Sequence, residues 1–405
     1  MIRQVTIKNF RSLANVHVSL NTLTFLVGIN GSGKSNFLDA LRFVQESVKE
    51  GVQNAFDNRS GIQAVRYHSM RGPRDFGLAV VLEYEDRGEK KLAHYAFEIA
   101  AKPDRDFEVK REKCRVESQE DPFVSHAYEV QEGKFVQVVP GVLAKLDRHR
   151  LALPIVSAAE PFTGLYDHLC SWRFYSLIPD RIRELQDPDP GLALKKDGSN
   201  LAAVILEIKQ AEKGNGNRYQ TVLELLSQIV PGMAGVEPWP QGNKLTLKFL
   251  QETKKEGKKS RWSFPALNMS DGTLRALGIL IALNQIPIPP LVAIEEPEAT
   301  IHPGALGVLM DAFNEGKTRS QILVTTHCPD LLDHSSVTDE NLRLVEFREG
   351  ETLLLPVGAV SKSAIKKRLA TYGELMRENQ LVPQEFPANW KPQKLFDFPS
   401  TPRKP

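Results

Sequence analysis

Cysteine is nearly absent: 405 residues carry three, Cys114, Cys170 and Cys328. So few, and so widely spaced, they exclude a disulfide scaffold and a cysteine-built zinc site, and they suit a reducing cytoplasm. A long hydrophobic run is missing too. The most apolar stretch, 274–294, is broken by Arg275, Asn284, Gln285, Pro287, Pro289 and Pro290, too often for a membrane span. From Ile2 to Phe10 apolar and polar residues alternate, which predicts a strand and lacks the apolar core of an export signal. A soluble, cytoplasmic chain without membrane contact is the expectation. Charge of one sign is also lacking, with 52 Lys+Arg against 50 Asp+Glu and a formal charge of +2. That excludes a histone-like or strongly acidic protein, but not a local basic face. Internal repeats and heptad arrays are missing. What is present is 41% apolar and 25% charged residues, enough for a sizeable core, over a length that allows about two to three domains.

The apolar run Leu23–Val27 ends at Gly28 and predicts a buried strand. Phe37, Leu38, Leu41, Val44 and Val48 then recur at helical spacing. Residues 51–76 show no clear period. Residues 77–139 predict antiparallel strands at Leu78–Tyr84, Leu92–Ile99, Phe107–Val116 and Phe135–Val139, and 141–185 read as mostly helical. After the breakers at 187–191, helices are expected at Leu201–Ile208 and Tyr219–Ile229. Lys244–Leu250 and Trp262–Leu267 flank a basic hairpin tip. Leu274–Leu283 predicts an apolar helix. Leu291–Ile294 and Gln321–Thr325 are strand-like runs around a helical stretch, Gly304–Asn314, which is a βαβ unit in a parallel sheet. Prolines at 383, 387, 392, 399, 402 and 405 predict an extended, loosely held tail.

Gly28-Ile29-Asn30-Gly31-Ser32-Gly33-Lys34-Ser35 fits G-x-x-x-x-G-K-[ST] without departure. Glycines let such a loop curl until its backbone N–H groups face phosphate oxygens, and the following helix adds its N-terminal dipole. Lys34 can then reach the β- and γ-phosphates, and the Ser35 hydroxyl can ligate Mg²⁺. Asn30, Gly31, Ser32, Gly33, Lys34, Ser35 and Asn36 are the predicted ATP-binding residues. A second strand end carries Glu295-Glu296-Pro297-Glu298. Glu295 is predicted to orient Mg²⁺ through water, and Glu296 to take a proton from the water attacking the γ-phosphate. His327, after the strand ending at Thr326, could sense the γ-phosphate or contact the attacking water. Glu296, His327 and Lys34 are the candidate catalytic residues. Ser270 reads either as a simple helix cap or as part of an anion-binding helix start with Asp271, Gly272 and Thr273.

The ordered set of phosphate loop, Ser-Asp-Gly-Thr, Glu-Glu-Pro-Glu and Thr-Thr-His resembles the ABC-type ATPase heads of the RecF, SMC and OLD group. The opening Ile7-Lys8-Asn9-Phe10-Arg11-Ser12-Leu13 is similar to that group's first strand and turn. The resemblance implies an α/β P-loop NTPase head with a mixed central sheet, an antiparallel β subdomain and a helical lobe. It implies an N-terminal part of the head at 1–185, a short helical and hairpin insertion at 186–260 in place of a coiled coil, a C-terminal part at 261–355 and a partly disordered extension at 356–405. It also implies a slow ATPase using ATP and Mg²⁺. Ser270, Asp271, Gly272 and Thr273 would act in trans on nucleotide held by a second copy, giving a homodimer in the ATP state. His302 falls where the group's subunit-crossing loop lies.

Two departures stand out. Glu295 replaces the Asp common in ABC proteins, and the candidate glutamine-loop segment Trp172–Pro179 contains no Gln. The long heptad insertion of SMC proteins and the nuclease domain of OLD proteins are missing, which implies a head working with a separately encoded effector in DNA repair or phage defence. The alternative is an ATP-bound scaffold with little turnover. Lys254, Lys255, Lys258, Lys259 and Arg261 are candidate DNA contacts, or else a solubilising turn. Lys362, Lys366, Lys367 and Arg368 read as a solvated helix face.

Overall fold

The computed structural model describes residues 1–67, 75–102, 106–121, 123–137, 146–212, 217–255, 258–385 and 393–398. Among the described residues the strands, in chain order, are β1 (Ile2–Phe10), β2 (Leu13–Ser19), β3 (Leu23–Val27), β4 (Phe76–Asp86), β5 (Glu89–Ala101), β6 (Phe107–Ser118), β7 (Ser125–Gln131) and β8 (Lys134–Gln137). They continue as β9 (Arg173–Tyr175), β10 (Met233–Gln241), β11 (Lys244–Lys255), β12 (Lys258–Pro265), β13 (Leu291–Glu295), β14 (Gln321–Thr326), β15 (Leu342–Arg348) and β16 (Glu351–Leu355).

These strands make three sheets. A seven-stranded antiparallel sheet runs β2-β1-β4-β5-β6-β7-β8, a three-stranded one β10-β11-β12, and a six-stranded one β16-β15-β3-β14-β13-β9. In the last, β15, β3, β14, β13 and β9 pair in parallel and only β16 runs antiparallel. The mixed sheet and antiparallel subdomain implied by the head resemblance are both there.

Side-chain period two, with a core on each face, explains the apolar runs in the central strands β3, β13 and β14. Leu26, Leu291, Ala293 and Leu323 point into one core, with the helix Lys34–Lys49 and the inner face of the seven-stranded sheet. Leu23, Phe25, Val27, Val292, Ile294, Ile322 and Val324 point into the other. That second core holds the helices Leu201–Ala211, Arg218–Ile229, Asp271–Asn284 and Leu306–Gly316. In the first core Phe43 lies 5.7 Å from Phe10, 5.2 Å from Phe56 and 5.6 Å from Phe76, ring centre to ring centre.

One charged hub is embedded beside that aromatic cluster. Asp39, on the helix Lys34–Lys49, accepts from Arg59 Nε at 3.0 Å and pairs with Arg11 at 2.9 Å and with Arg42. Burial works against its ionised form, but the guanidiniums, Arg59 first, hold its carboxyl below the ordinary value.

Four sequence expectations need correction. Strand β7 was not foreseen, because Ser-His-Ala-Tyr-Glu-Val-Gln buries only Tyr128 and Val130. Strand β10 was hidden by Pro238 and Pro240. It lies at a sheet edge, where a missing N–H costs no ladder bond. The stretch read as mostly helical contains β9 between the helices Glu160–Cys170 and Pro179–Arg183. The proline-rich tail from Pro383 onward, expected to be loosely held, buries Leu395; the helices Ala359–Lys366 and Tyr372–Arg377, the latter opened by a Thr371–Glu374 capping box, precede it.

Candidate nucleotide site

Three loops leave the C-terminal ends of β3, β13 and β14, neighbours in the parallel sheet. Open α/β sheets bind ligands along this edge. The loop after β3 closes onto the helix Lys34–Lys49 through Gly33 at φ 103°. A Cβ on Gly33 would lie 2.1 Å from Thr352 Oγ1, and one on Gly28 2.2 Å from the Val345 carbonyl. Both glycines are therefore required by close approach of β15 and β16 beneath the loop.

Lys34 bends back over its own loop. Its Nζ donates to the carbonyls of Gly28 at 2.7 Å and Ile29 at 2.9 Å. Burial lowers its pKa, and the facing carboxylates of Glu296 and Glu298 oppose that shift. Ser32 is buried, whereas Asn30, Gly31 and Ser35 are exposed. The side chain of Asn36 is held by the β1–β2 turn, donating to Ser12 Oγ at 2.7 Å and accepting from Arg11 at 3.3 Å.

Ser35 and Glu295 are 260 positions apart, yet Ser35 Oγ donates to Glu295 Oε2 at 2.9 Å. Glu296 follows with φ 44°, a left-handed conformation rare for a residue with a side chain. Its N–H donates to the Thr325 carbonyl and Thr325 Oγ1, both at 3.1 Å, which fixes the turn. Its carboxylate stands 3.4 Å from His327 Nδ1, so these predicted partners meet.

Two residues near this cluster had no assigned part in the sequence reading. Glu298 is buried, and its Oε1 accepts from Thr326 Oγ1 at 2.7 Å and from the His327 N–H at 3.2 Å, while Oε2 has no partner. It ties the β14 end to the β13 loop. Arg275, on the helix Asp271–Asn284, donates to the Glu296 carbonyl at 3.2 Å. Burial lowers the pKa of this guanidinium, against the pull of Glu298 and Glu296. Glu298 was visible as the last acid of its motif. Arg275 gave no signal, because its spacing is that of any helix.

Ser270 caps the helix Asp271–Asn284, with Oγ accepting from the Thr273 N–H at 3.3 Å and lying 2.8 Å from Thr273 Oγ1. Ser270 and Asp271 are exposed, Gly272 is half-buried and Thr273 is buried. Asp271 pairs with Arg183, beyond β9. A Cβ on Gly272 would lie 2.5 Å from the Thr300 carbonyl, so this segment rests on the loop after β13. His302, in that loop, accepts from the Gly304 N–H at 3.1 Å and caps a short turn.

The candidate DNA contacts sit apart from one another in character. Lys254–Lys259 and Lys255–Lys258 are register pairs of the β11–β12 hairpin, and their side chains lie outside the described residues. Arg261 is bound to Glu252 at 2.6 Å. In the second basic cluster Lys362 pairs with Asp339 at 2.8 Å, and Lys366, Lys367 and Arg368 are exposed. No described helix is long and apolar enough to cross a membrane.

A phosphate loop at the end of a parallel strand, with acids and a histidine at the next two strand ends, defines a P-loop NTPase built as an ABC-type head. Residues 23–333 match the family described as "AAA domain, putative AbiEii toxin, Type IV TA system". That match covers more than half of the chain, and the chain belongs to this AAA-type ATPase family. No curated protein matches the chain.

Among solved structures, an Smc head bound to the C-winged helix domain of ScpA is 16% identical, with a TM-score of 0.50 over 89% of this chain and 99% of that one. An Smc head with an extended coiled coil, bound to the C-terminal domain of ScpA and derived from Pyrococcus furiosus, is also 16% identical, with a TM-score of 0.46 over 91% and 99%. The SMC head domain from Thermotoga maritima is 14% identical, with a TM-score of 0.41 over 88% and 99%. Identities this low speak to the fold alone. The head resemblance read from the motifs is borne out for family and fold.

Proposed function

We propose that this chain is an ATP-hydrolysing switch that dimerises around nucleotide. The observation that carries this is the 2.9 Å contact between Ser35 and Glu295, with Lys34 and the Glu296–His327 pair on neighbouring strand ends. Arriving phosphates replace the Gly28 and Ile29 carbonyls as partners of Lys34, and the loop N–H groups and helix dipole add to their binding. Ser35 and Glu295 supply a hydroxyl and a carboxylate. That donor set fits Mg²⁺, which takes one or two protein oxygens and completes its shell with phosphate and water. When bound there, the ion neutralises charge on the β- and γ-phosphates.

In this reading Glu296 accepts the proton of a water attacking the γ-phosphorus, and His327 hydrogen-bonds that water or the phosphate. Its left-handed backbone and the Thr325 bonds fix where the carboxylate starts. The Ser270–Thr273 segment acts on the nucleotide of a second copy. Its support is exposure: Ser270 and Asp271 lie at the surface, and the cis site is tied together without hydrogen bonds from either. The family description favours an effector or toxin context, and we place the switch in DNA repair or phage defence, acting with such an effector or on DNA.

Glu296→Gln tests this. With saturating Mg-ATP the variant is expected to bind nucleotide, lose hydrolysis by ~10²–10⁴-fold and accumulate as a dimer in size measurements. A monomer under those conditions overturns the shared-nucleotide arrangement.

A further inference from the structure

The seven-stranded sheet has an inner face in the first core and an outer face that should be polar. Along the middle of the outer face it is not. Three consecutive rungs run across β1, β4, β5 and β6: Lys8-Gly77-Glu98-Arg111, Thr6-Ala79-Ala96-Lys113 and Gln4-Val81-His94-Arg115. At their centre Gly77, Ala79, Val81 and Ala96 are small or apolar, with Glu98 and His94 beside them, and the β6 rim carries Arg111, Lys113 and Arg115. Gly77, His94, Ala96 and Glu98 are all buried, although they face away from the core.

The cover is the chain's own segment 393–398, Gln-Lys-Leu-Phe-Asp-Phe. Leu395 is buried over Gly77, and a Cβ on that glycine would lie 2.3 Å from Leu395 Cδ1. Any larger residue at 77 removes the notch. The Arg111 guanidinium sits 4.3 Å from the Phe396 ring centre, and Lys113 Nζ 4.9 Å from that of Phe398. Two cations two residues apart on β6 thus meet two aromatics two residues apart on the segment, a match of strand period to peptide period. Glu129 steadies both cations, at 2.8 Å from Arg111 and 3.9 Å from Lys113.

The fit is specific but incomplete. Cavities of about 670 Å³ and 260 Å³ lie against the segment, the first reaching Lys8, Asn15 and Glu351, the second Gln4, Thr6 and His94. His94, 6% exposed and 5.3 Å from the Phe398 ring, leaves its buried Nε2 without a hydrogen-bond partner. The described backbone bonds of the segment are internal, Asp397 N to Lys394 O at 3.1 Å and Phe398 N to Phe396 O at 3.0 Å. Side chains hold it, not a shared ladder, and such a contact can be exchanged.

We propose that the outer face of the seven-stranded sheet is a peptide-binding groove for a Leu-aromatic-acid-aromatic segment, filled in cis by residues 395–398 and open to the same sequence pattern on another polypeptide. The tethered segment competes at high local concentration, so the groove is masked until the tail is released. Nucleotide plays no part in this recognition, and its test stands apart from the ATPase reading.

A fluorescent peptide of residues 391–400 is titrated into the full chain and into the full-length double variant Phe396→Ala/Phe398→Ala. The double variant is expected to bind the peptide roughly tenfold or more tightly than the unaltered chain, because its own tail no longer competes. Adding Arg111→Ala and Lys113→Ala, both at the rim, should remove that gain while leaving the melting temperature near that of the parent. A peptide with both phenylalanines replaced by alanine should not bind. Equal peptide affinity for the unaltered chain and the tail variant overturns the groove, as does full affinity after loss of both cations.

Discussion

The two halves of the proposed site are built differently. The half formed by the ends of β3, β13 and β14 is cross-tied by bonds between residues far apart in the chain: Ser35 to Glu295, Thr326 and His327 to Glu298, Arg275 to the Glu296 carbonyl. The half around Ser270 is exposed and, among the described residues, makes no hydrogen bond to those strand ends: Ser270 bonds to Thr273 at its own helix start, and Asp271 is held by Arg183. One half is a finished cradle in a single chain. The other is a capped helix end that stays at the surface and adds no hydrogen bond to that cradle, as a segment acting on a second copy would.

The largest expected effect tests the finished half. Lys34→Ala removes the cation of the phosphate loop, and nucleotide binding should fall below detection in an equilibrium titration. Unchanged affinity would remove the site assignment. Next comes the exposed half: Ser270→Arg should leave nucleotide binding by the monomer within about twofold, because the residue touches nothing in the cradle, yet abolish the ATP-dependent dimer and its turnover. Equal loss of binding and dimerisation would erase the distinction between the halves.

A smaller effect sharpens it. Glu298→Ala leaves Thr326 Oγ1 and the His327 N–H without their acceptor, at a cost of about 1–3 kcal/mol in chemical denaturation. It should slow hydrolysis more than it weakens nucleotide binding, since the bonds it removes lie under His327 and not under the phosphate loop. If binding falls as steeply as turnover, Glu298 supports the whole site and not the histidine.

The last test is pH. Asp39 has a folded pKa below its ordinary value of 3.8, held there by Arg59, Arg42 and Arg11 against burial. Its stabilisation is complete above that ordinary value and is lost as the pH falls through the lower, folded one. Asp39→Asn should flatten the melting temperature against pH below about pH 4, with little change in that slope at neutral pH. A variant whose acid limb matches that of the parent would show that the hub contributes nothing to acid stability.

Much of this was legible beforehand, for a physical reason that differs by region. Strands β3, β13 and β14 are buried on both faces, so unbroken apolar runs announced them. The helix Lys34–Lys49 announced itself by period. Strands β7 and β10 did not, because β7 is half-polar and β10, at a sheet edge, is interrupted by two prolines. The tail misled for a related reason. Six prolines spoke for an extended chain, whereas the anchoring of Leu395 depends on a glycine more than three hundred residues earlier.

The amino-acid sequence alone marked out the phosphate-loop motif, because it is contained in eight consecutive residues and needs only a strand before it and a helix after it. Tertiary structure alone decided that Glu295 reaches Ser35, that Glu298 lies beneath His327, and that a Leu-Phe-Asp-Phe segment lies over Gly77. Those contacts join residues whose separation along the chain carries no periodic signal, so only the packing of the sheets and helices could bring them together.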